Sequence, residues 1–387
     1  MKVHLNLQPA PNRTSGIGVY AHEIATRLML RPDLELRGGF SSLRTRSVPL
    51  FDTYDFPVHL SRIPERLLYP ARRSPSLPMS YNTIMRDASE AFLFFSNRLP
   101  VARIAGTVIV VVHDLIPLRI PLELPGLVDR YRRQLEEIHR RADVIVTVSQ
   151  SSRNDIAHEL DMEPERIAIA ANGVRFEDLN PPVDREARAS VRARYALPDR
   201  YILYFGGTRP YKNVARIIEA YSLLNPAARQ RVKLVITRRD ADLQEQSRRL
   251  GVQDSVVFTR PVSDDDKAAV YQMADTTVLV SLYEGFGIPV IEAMAAGTPV
   301  IASNVSSLPE ACGGAGLLVD PLDTRALAEA LDRVLDDADL RRSMIASGLA
   351  NARRFTWDAS ADTFHRLLTP PARPDSPERV SAPFALS

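Results

Sequence analysis

Short apolar runs alternate with longer stretches of helical periodicity along nearly the whole chain, the pattern of parallel strands joined by crossover helices. In the first half the strand-like runs are residues 2–7, 34–40, 91–96, 107–112, 143–148 and 167–171. Thr107 to Val112 is β-branched almost throughout, as suits a strand buried on both faces. Helical spacing covers 16–30 and 122–141, then a segment ending at Leu160 that Ser149 or Ser151 would cap. Between Phe176 and Arg200 the chain becomes charged and proline-dotted, the composition of a linker with one short helix. Strand-like runs resume at 201–205, 232–237, 256–258, 276–282 and 299–303, and helical ones at 214–224, 324–336 and 339–354. This predicts an α/β protein of two units, residues 1–180 and 201–355, with a linker at 181–200. A last helix at 356–369 follows a kink, and the proline- and serine-bearing residues 370–387 are expected to be disordered. Residues 41–89, rich in arginine, proline and serine, read equally as a binding flap or as a solvated loop with short helices.

A length of 387 residues exceeds one ordinary core and agrees with two units. The 45% hydrophobic and 25% charged fractions are those of a soluble globular protein. With 49 basic and 47 acidic side chains the net charge is only +2, which gives no argument for nucleic acid as a partner. Lysine is scarce: only Lys2, Lys212, Lys233 and Lys267 occur. A single cysteine, Cys312, excludes an internal disulfide and a cysteine-based metal cluster and points to a reducing compartment. No stretch has the length of a signal peptide core or a membrane span, so a cytoplasmic location is expected. The arginine-dense helix at 122–141 is either a solvated face or a contact with anionic lipid.

Candidate chemistry concentrates in Ser281 to Val300. A buried strand leads into a loop with Gly285 and Gly287, whose backbone can approach a ligand closely, and Pro289 suits the first turn of the next helix. Free amides of that loop and helix make an anion site, while Glu284 and Glu292 suit hydroxyl groups, which together describe a nucleotide sugar. Residues 206–213, GGTRPYKN, lead from another strand into a helix. There Arg209 can fork onto phosphate oxygens and Lys212 adds a point charge. His113 and Asp114 follow the buried run 107–112, at the carboxyl end where ligands sit in open α/β sheets. Gly16 to Ala21 matches G-x-G-x-x-A, but about eight residues separate it from the preceding strand, unlike a dinucleotide-binding turn.

The string S-x-x-E-G-F-G-x-P-x-x-E-A, with seven residues between Glu284 and Glu292, resembles the donor-site signature of retaining glycosyltransferases of family 4. The resemblance implies a GT-B fold, two facing Rossmann-like domains with an interdomain cleft and a C-terminal helix crossing back to the first domain. It implies that Glu284 touches the transferred sugar, that the amides of Gly285, Phe286, Gly287 and Ile288 touch sugar and diphosphate, and that Glu292 holds the ribose. H-D-x-I-P is similar to the family's acceptor-domain motif, which gives His113 to the sugar with Asp114 in support. Gly16 and Gly18 fit the family's G-x-G loop over the diphosphate, Lys212 its phosphate lysine, and Pro261 and Val262 the neighbourhood of the base. Many relatives carry arginine where this chain has Gly207, and Arg209 is expected to substitute. A metal-independent enzyme is implied, with no protein nucleophile and the departing phosphate taking the acceptor proton. The expected donor is a nucleotide-diphosphate sugar, GDP-linked as in mannosyl-type members, and the acceptor a lipid-linked or growing surface polysaccharide, with peripheral membrane contact open. Three rivals are an NAD-dependent oxidoreductase, a phosphorylase or epimerase, and a silent scaffold of a polysaccharide-assembly complex.

Overall fold

A computed structural model describes residues 1–12, 15–45, 47–70, 77–121 and 124–369. Two wholly parallel sheets carry the architecture. The first contains β1 (Lys2–Asn6), β2 (Glu35–Ser41), β3 (Val58–Ser61), β4 (Ala91–Phe94), β5 (Thr107–Val111), β6 (Val144–Thr147) and β7 (Ile167–Ile169), in the order 3-2-1-4-5-6-7. The second contains β8 (Tyr201–Tyr204), β9 (Lys233–Ile236), β10 (Val256–Phe258), β11 (Thr276–Leu279), β12 (Val300–Ser303) and β13 (Leu317–Val319). Its order, 10-9-8-11-12-13, is that of a doubly wound sheet. Central strands such as β4, β8, β11 and β12 are buried at every position, which is why they read as unbroken apolar runs rather than alternating ones.

In each sheet the chain reverses its direction of winding between the first and fourth strand, so a crevice opens there at the carboxyl ends. In the second sheet it lies between β8 and β11. The final helix, Trp357–Leu368, leaves the second unit and packs on the helix Gly16–Leu28 of the first. Tyr20 meets Trp357 and Phe364 edge-on, Arg31 pairs with Asp362, and Arg27 Nε lies 3.2 Å from Asp358.

Several local expectations are revised. The long helix expected over 122–141 is Leu127–Arg141, preceded by a separate short helix, Ile116–Arg119, and residues 122–123 lie outside the described ones. Within the charged 181–200 stretch Arg185–Tyr195 is an eleven-residue helix docked on Asp264–Gln272, where Arg194 and the Tyr195 hydroxyl both reach Asp266 at 2.7–2.8 Å. The unreadable 41–89 stretch contributes edge strand β3 and three short helical turns, with Arg46 and residues 71–76 outside the described residues. Residues 370–387 also lie outside them.

Candidate functional site

The crevice of the second sheet is built by two loops tied edge to edge. The N–H of Leu282 donates to Tyr211 O at 2.8 Å, and the Asn213 amide donates to Val280 O at 3.0 Å and Pro321 O at 2.7 Å. Asn213 accomplishes this from a left-handed backbone (φ 58°), a conformation asparagine tolerates better than most residues. The loops bring Lys212 Nζ to 2.6 and 2.8 Å from the two carboxylate oxygens of Glu284. Ser281 Oγ donates to the same carboxylate at 2.6 Å, Ser306 Oγ accepts from the Glu284 N–H, and Ser307 Oγ donates to its carbonyl. These contacts bury Glu284, of which only 7% is exposed, although it sits in a loop beside two glycines. Burial alone would depress the Lys212 pKa, but the Glu284 carboxylate outweighs it and the ammonium ends above its usual value. Each charge is the condition for the other's burial.

The following loop presents unmet donors. The backbone N–H groups of Gly285, Phe286, Gly287 and Ile288 donate to no protein group among the described residues, although the first three residues are buried. Gly287 starts the helix Ile288–Ala295 at φ 101°, and a Cβ there would stand 2.5 Å from Leu308 Cδ2. The Phe286 ring is core, edge-on to Phe355, so only its backbone can serve a ligand. Orphaned buried amides cost free energy unless water or a ligand meets them, and four in a row beside a lysine form an anion cradle. Arg209 stands exposed at the entrance, and its guanidinium makes no hydrogen bond or ion pair among the described residues.

Glu292 has its own partners: Lys267 Nζ at 2.9 Å and the Tyr271 hydroxyl at 3.0 Å, one on each carboxylate oxygen. Phe205, at the exit of β8, stacks on Tyr271 at 4.9 Å and lies under Lys267. The Lys212–Glu284 and Lys267–Glu292 pairs thus adjoin the same strand exit. Val262 is half-buried just beyond β10. Lys267 and Tyr271 were missed from sequence. The available signal was lysine scarcity, which had singled out Lys212 and applied equally to Lys267.

The first unit supplies the opposite wall. His113 Nε2 is 3.0 Å from Phe95 O, and the Tyr20 ring packs edge-on against the imidazole at 4.9 Å. Burial lowers its pKa to about 4 despite that carbonyl, so at neutral pH it is uncharged, with the proton on Nε2 and Nδ1 left as an acceptor. A Cβ on Gly285 would stand 2.7 Å from His113 O and 3.0 Å from Asp114 Cβ, so the glycine lets the two walls touch. Ser152 Oγ lies 3.2 Å from the carbonyls of both His113 and Gly285, and the Tyr283 hydroxyl donates to Asp155 at 2.6 Å. Gly16, at the start of its helix, faces the Ile288 side chain across the cleft. Gly18 has a local reason to be glycine, since a Cβ would collide with Asn12 O.

Residues 14–178 match the family model described as Glycosyltransferase Family 4, and residues 188–350 match Glycosyl transferases group 1. The chain is 28% identical over 383 residues to the O-antigen chain mannosyltransferase B of Escherichia coli, spanning 92% of this chain and 97% of that protein. It is 31% identical over 284 residues to the serotype-specific mannosyltransferase WbdA of Escherichia coli, a match covering 70% of this chain but only 35% of that longer relative. In fold it is similar to a sucrose-phosphate synthase from Thermosynechococcus elongatus, with a TM-score of 0.72 at 18% identity over 95% of this chain and 98% of that one. HepE of Anabaena in complex with UDP and glucose gives 0.73 at 16% identity over 95% and 99%. With its two parallel sheets arranged as in GT-B enzymes and both halves matched by family models, the chain belongs to the group 1, family 4 glycosyltransferases.

Proposed function

We propose that this enzyme transfers a hexosyl group, mannosyl or a related deoxyhexosyl, from a GDP-linked sugar to a lipid-linked or growing surface glycan, with retention at the anomeric carbon. The observation that carries the reading is the row of four amides without a protein partner among the described residues, those of Gly285, Phe286, Gly287 and Ile288, next to the Lys212–Glu284 pair. A diphosphate answers the amides, Lys212 and Arg209; sugar hydroxyls answer Glu284, and ribose hydroxyls Glu292. Similarity to two mannosyltransferases supports the choice of sugar.

Charge builds on the diphosphate as the glycosidic bond breaks, and the groups aimed at it are already in place and partly shielded from water, which is where electrostatic stabilisation is strongest. Lys212 is shared with Glu284, so a bound phosphate takes over one side of the ammonium while a sugar hydroxyl occupies the released carboxylate oxygen. Neutral His113 offers Nδ1 as an acceptor to a hydroxyl from the opposite wall. The first unit also exposes Leu124, Val128 and Arg133 on or next to the helix Leu127–Arg141, side chains that would suit a peripheral membrane contact.

Incubation with GDP-, UDP- and dTDP-sugars, followed by NMR of the product, tests this. GDP-mannose or a GDP-deoxyhexose is expected to raise the melting temperature most and to give a product with the donor's anomeric configuration. An inverted product, or a preference for another nucleotide, would overturn the corresponding part.

A further inference from the structure

Asp114 is the third carboxyl group at the meeting of the two walls, and the Lys212–Glu284 pair does not account for it. Its Oδ1 accepts the Ile116 N–H at 3.0 Å, a local turn contact, while Tyr131 donates to its backbone carbonyl. Oδ2 has no hydrogen-bond partner among the described residues and is not sealed from solvent. It lies 3.5 Å from where a Cβ of Gly285 would stand, so the carboxyl tip is beside the loop that carries Glu284 and the free amides. Burial pushes this carboxyl up to about 6; Glu284 adds to the rise, and the Ile116 N–H and Lys212 oppose it. Tyr131 from the helix Leu127–Arg141, Tyr283 from the donor loop and Tyr211 from the loop after β8 are the other titratable groups that face it.

A half-buried carboxylate with one free oxygen, opposite a second carboxylate, is unfavourable for the fold alone. Peptide N–H groups and the ammonium of Lys212 already serve the anion, so the chemistry left for Oδ2 is acceptance from a neutral hydroxyl. Resting on the donor-site reading above, we infer that Asp114 is a substrate-binding residue whose Oδ2 accepts a hydrogen bond from a hydroxyl of a sugar held between the two walls. The sugar is either the transferred one or the terminal residue of the acceptor.

The test compares Asp114→Asn and Asp114→Ala with the full-length wild type, with thermal melting confirming that each folds. Binding of GDP and of GDP-mannose is measured by calorimetry, and transfer to a mannose-terminated oligosaccharide by steady-state kinetics. A hydrogen bond to a charged acceptor corresponds to about 10- to 100-fold. If the transferred sugar is the ligand, both variants keep wild-type GDP affinity and lose that factor for GDP-mannose. If the acceptor is the ligand, both binding constants hold and the oligosaccharide KM rises by that factor. Unchanged constants throughout, or equal weakening of GDP and GDP-mannose, would overturn the assignment. A wild type that does not distinguish any nucleotide sugar from its bare nucleotide would overturn the donor-site reading and this one with it.

Discussion

His113 and Asp114 are sequence neighbours whose titrations are displaced in opposite senses by the same burial. The imidazole is held neutral down to about 4, so its contribution to stability is complete above its ordinary value of 6.5 and is lost as pH falls through about 4. The Asp114 carboxyl is raised to about 6, so its contribution is complete below its ordinary 3.8 and is lost as pH rises through about 6. Each effect is worth up to about 3 kcal/mol, and over the same window the two largely cancel. Substitution should separate them. On acidification from pH 6.5 to 4, Asp114→Asn is expected to lose several degrees of Tm relative to wild type, and His113→Gln to gain. Parallel melting curves for all three proteins would show that neither group titrates as described. His113 and Asp114 were recognisable in sequence because a polar pair ended a fully apolar strand. The mutual burial of Lys212 and Glu284 was not, because a pairing across 72 positions leaves no local pattern.

At the scale of elements, the strand–loop–helix around Glu284 was legible because each part has a short-range cause. Apolar residues bury β11, glycines permit the turn, and Pro289 fits the first helical turn. Strands β3 and β13 were not legible. β3 (Val58–Ser61) lies inside the arginine- and proline-rich 41–89 stretch, and β13 is three residues of which only Val319 is buried, so neither stands out from its surroundings as an apolar run. The glycines also differ in what they do. Gly287 has φ 101° and no room for a Cβ, whereas nothing lies within 4 Å of a Cβ at Gly207. Gly287→Ala is therefore expected to cost about 1–3 kcal/mol in denaturant unfolding and to weaken nucleotide-sugar binding, and Gly207→Ala to cost well under 1 kcal/mol. Equal costs would mean that loop geometry is not set by that residue.

In the whole molecule, the final helix and the cleft contacts hold the two units face to face. Glu310 of the second unit accepts from the Gln150 N–H at 2.9 and 3.1 Å, an anion placed at the amino end of a helix in the first. Tyr283 and Gly285, flanking Glu284, touch that helix and the His113 carbonyl. One short loop therefore both lines the proposed donor crevice and forms the inner edge of the interface between the two units. Most of this was foreseeable as topology from the alternation of strands and helices. The apposition itself depends on tertiary contacts between residues more than 100 positions apart.

The most direct measurement is calorimetric titration of GDP-mannose into the wild type, Lys212→Ala, Glu284→Ala and the double variant. With one ammonium serving both the carboxylate and the diphosphate, each single substitution should weaken binding at least ~10-fold, and the double substitution should cost much less than the product of the two. Wild-type affinity in Lys212→Ala, or strictly multiplicative losses, would contradict a donor site built on that shared charge.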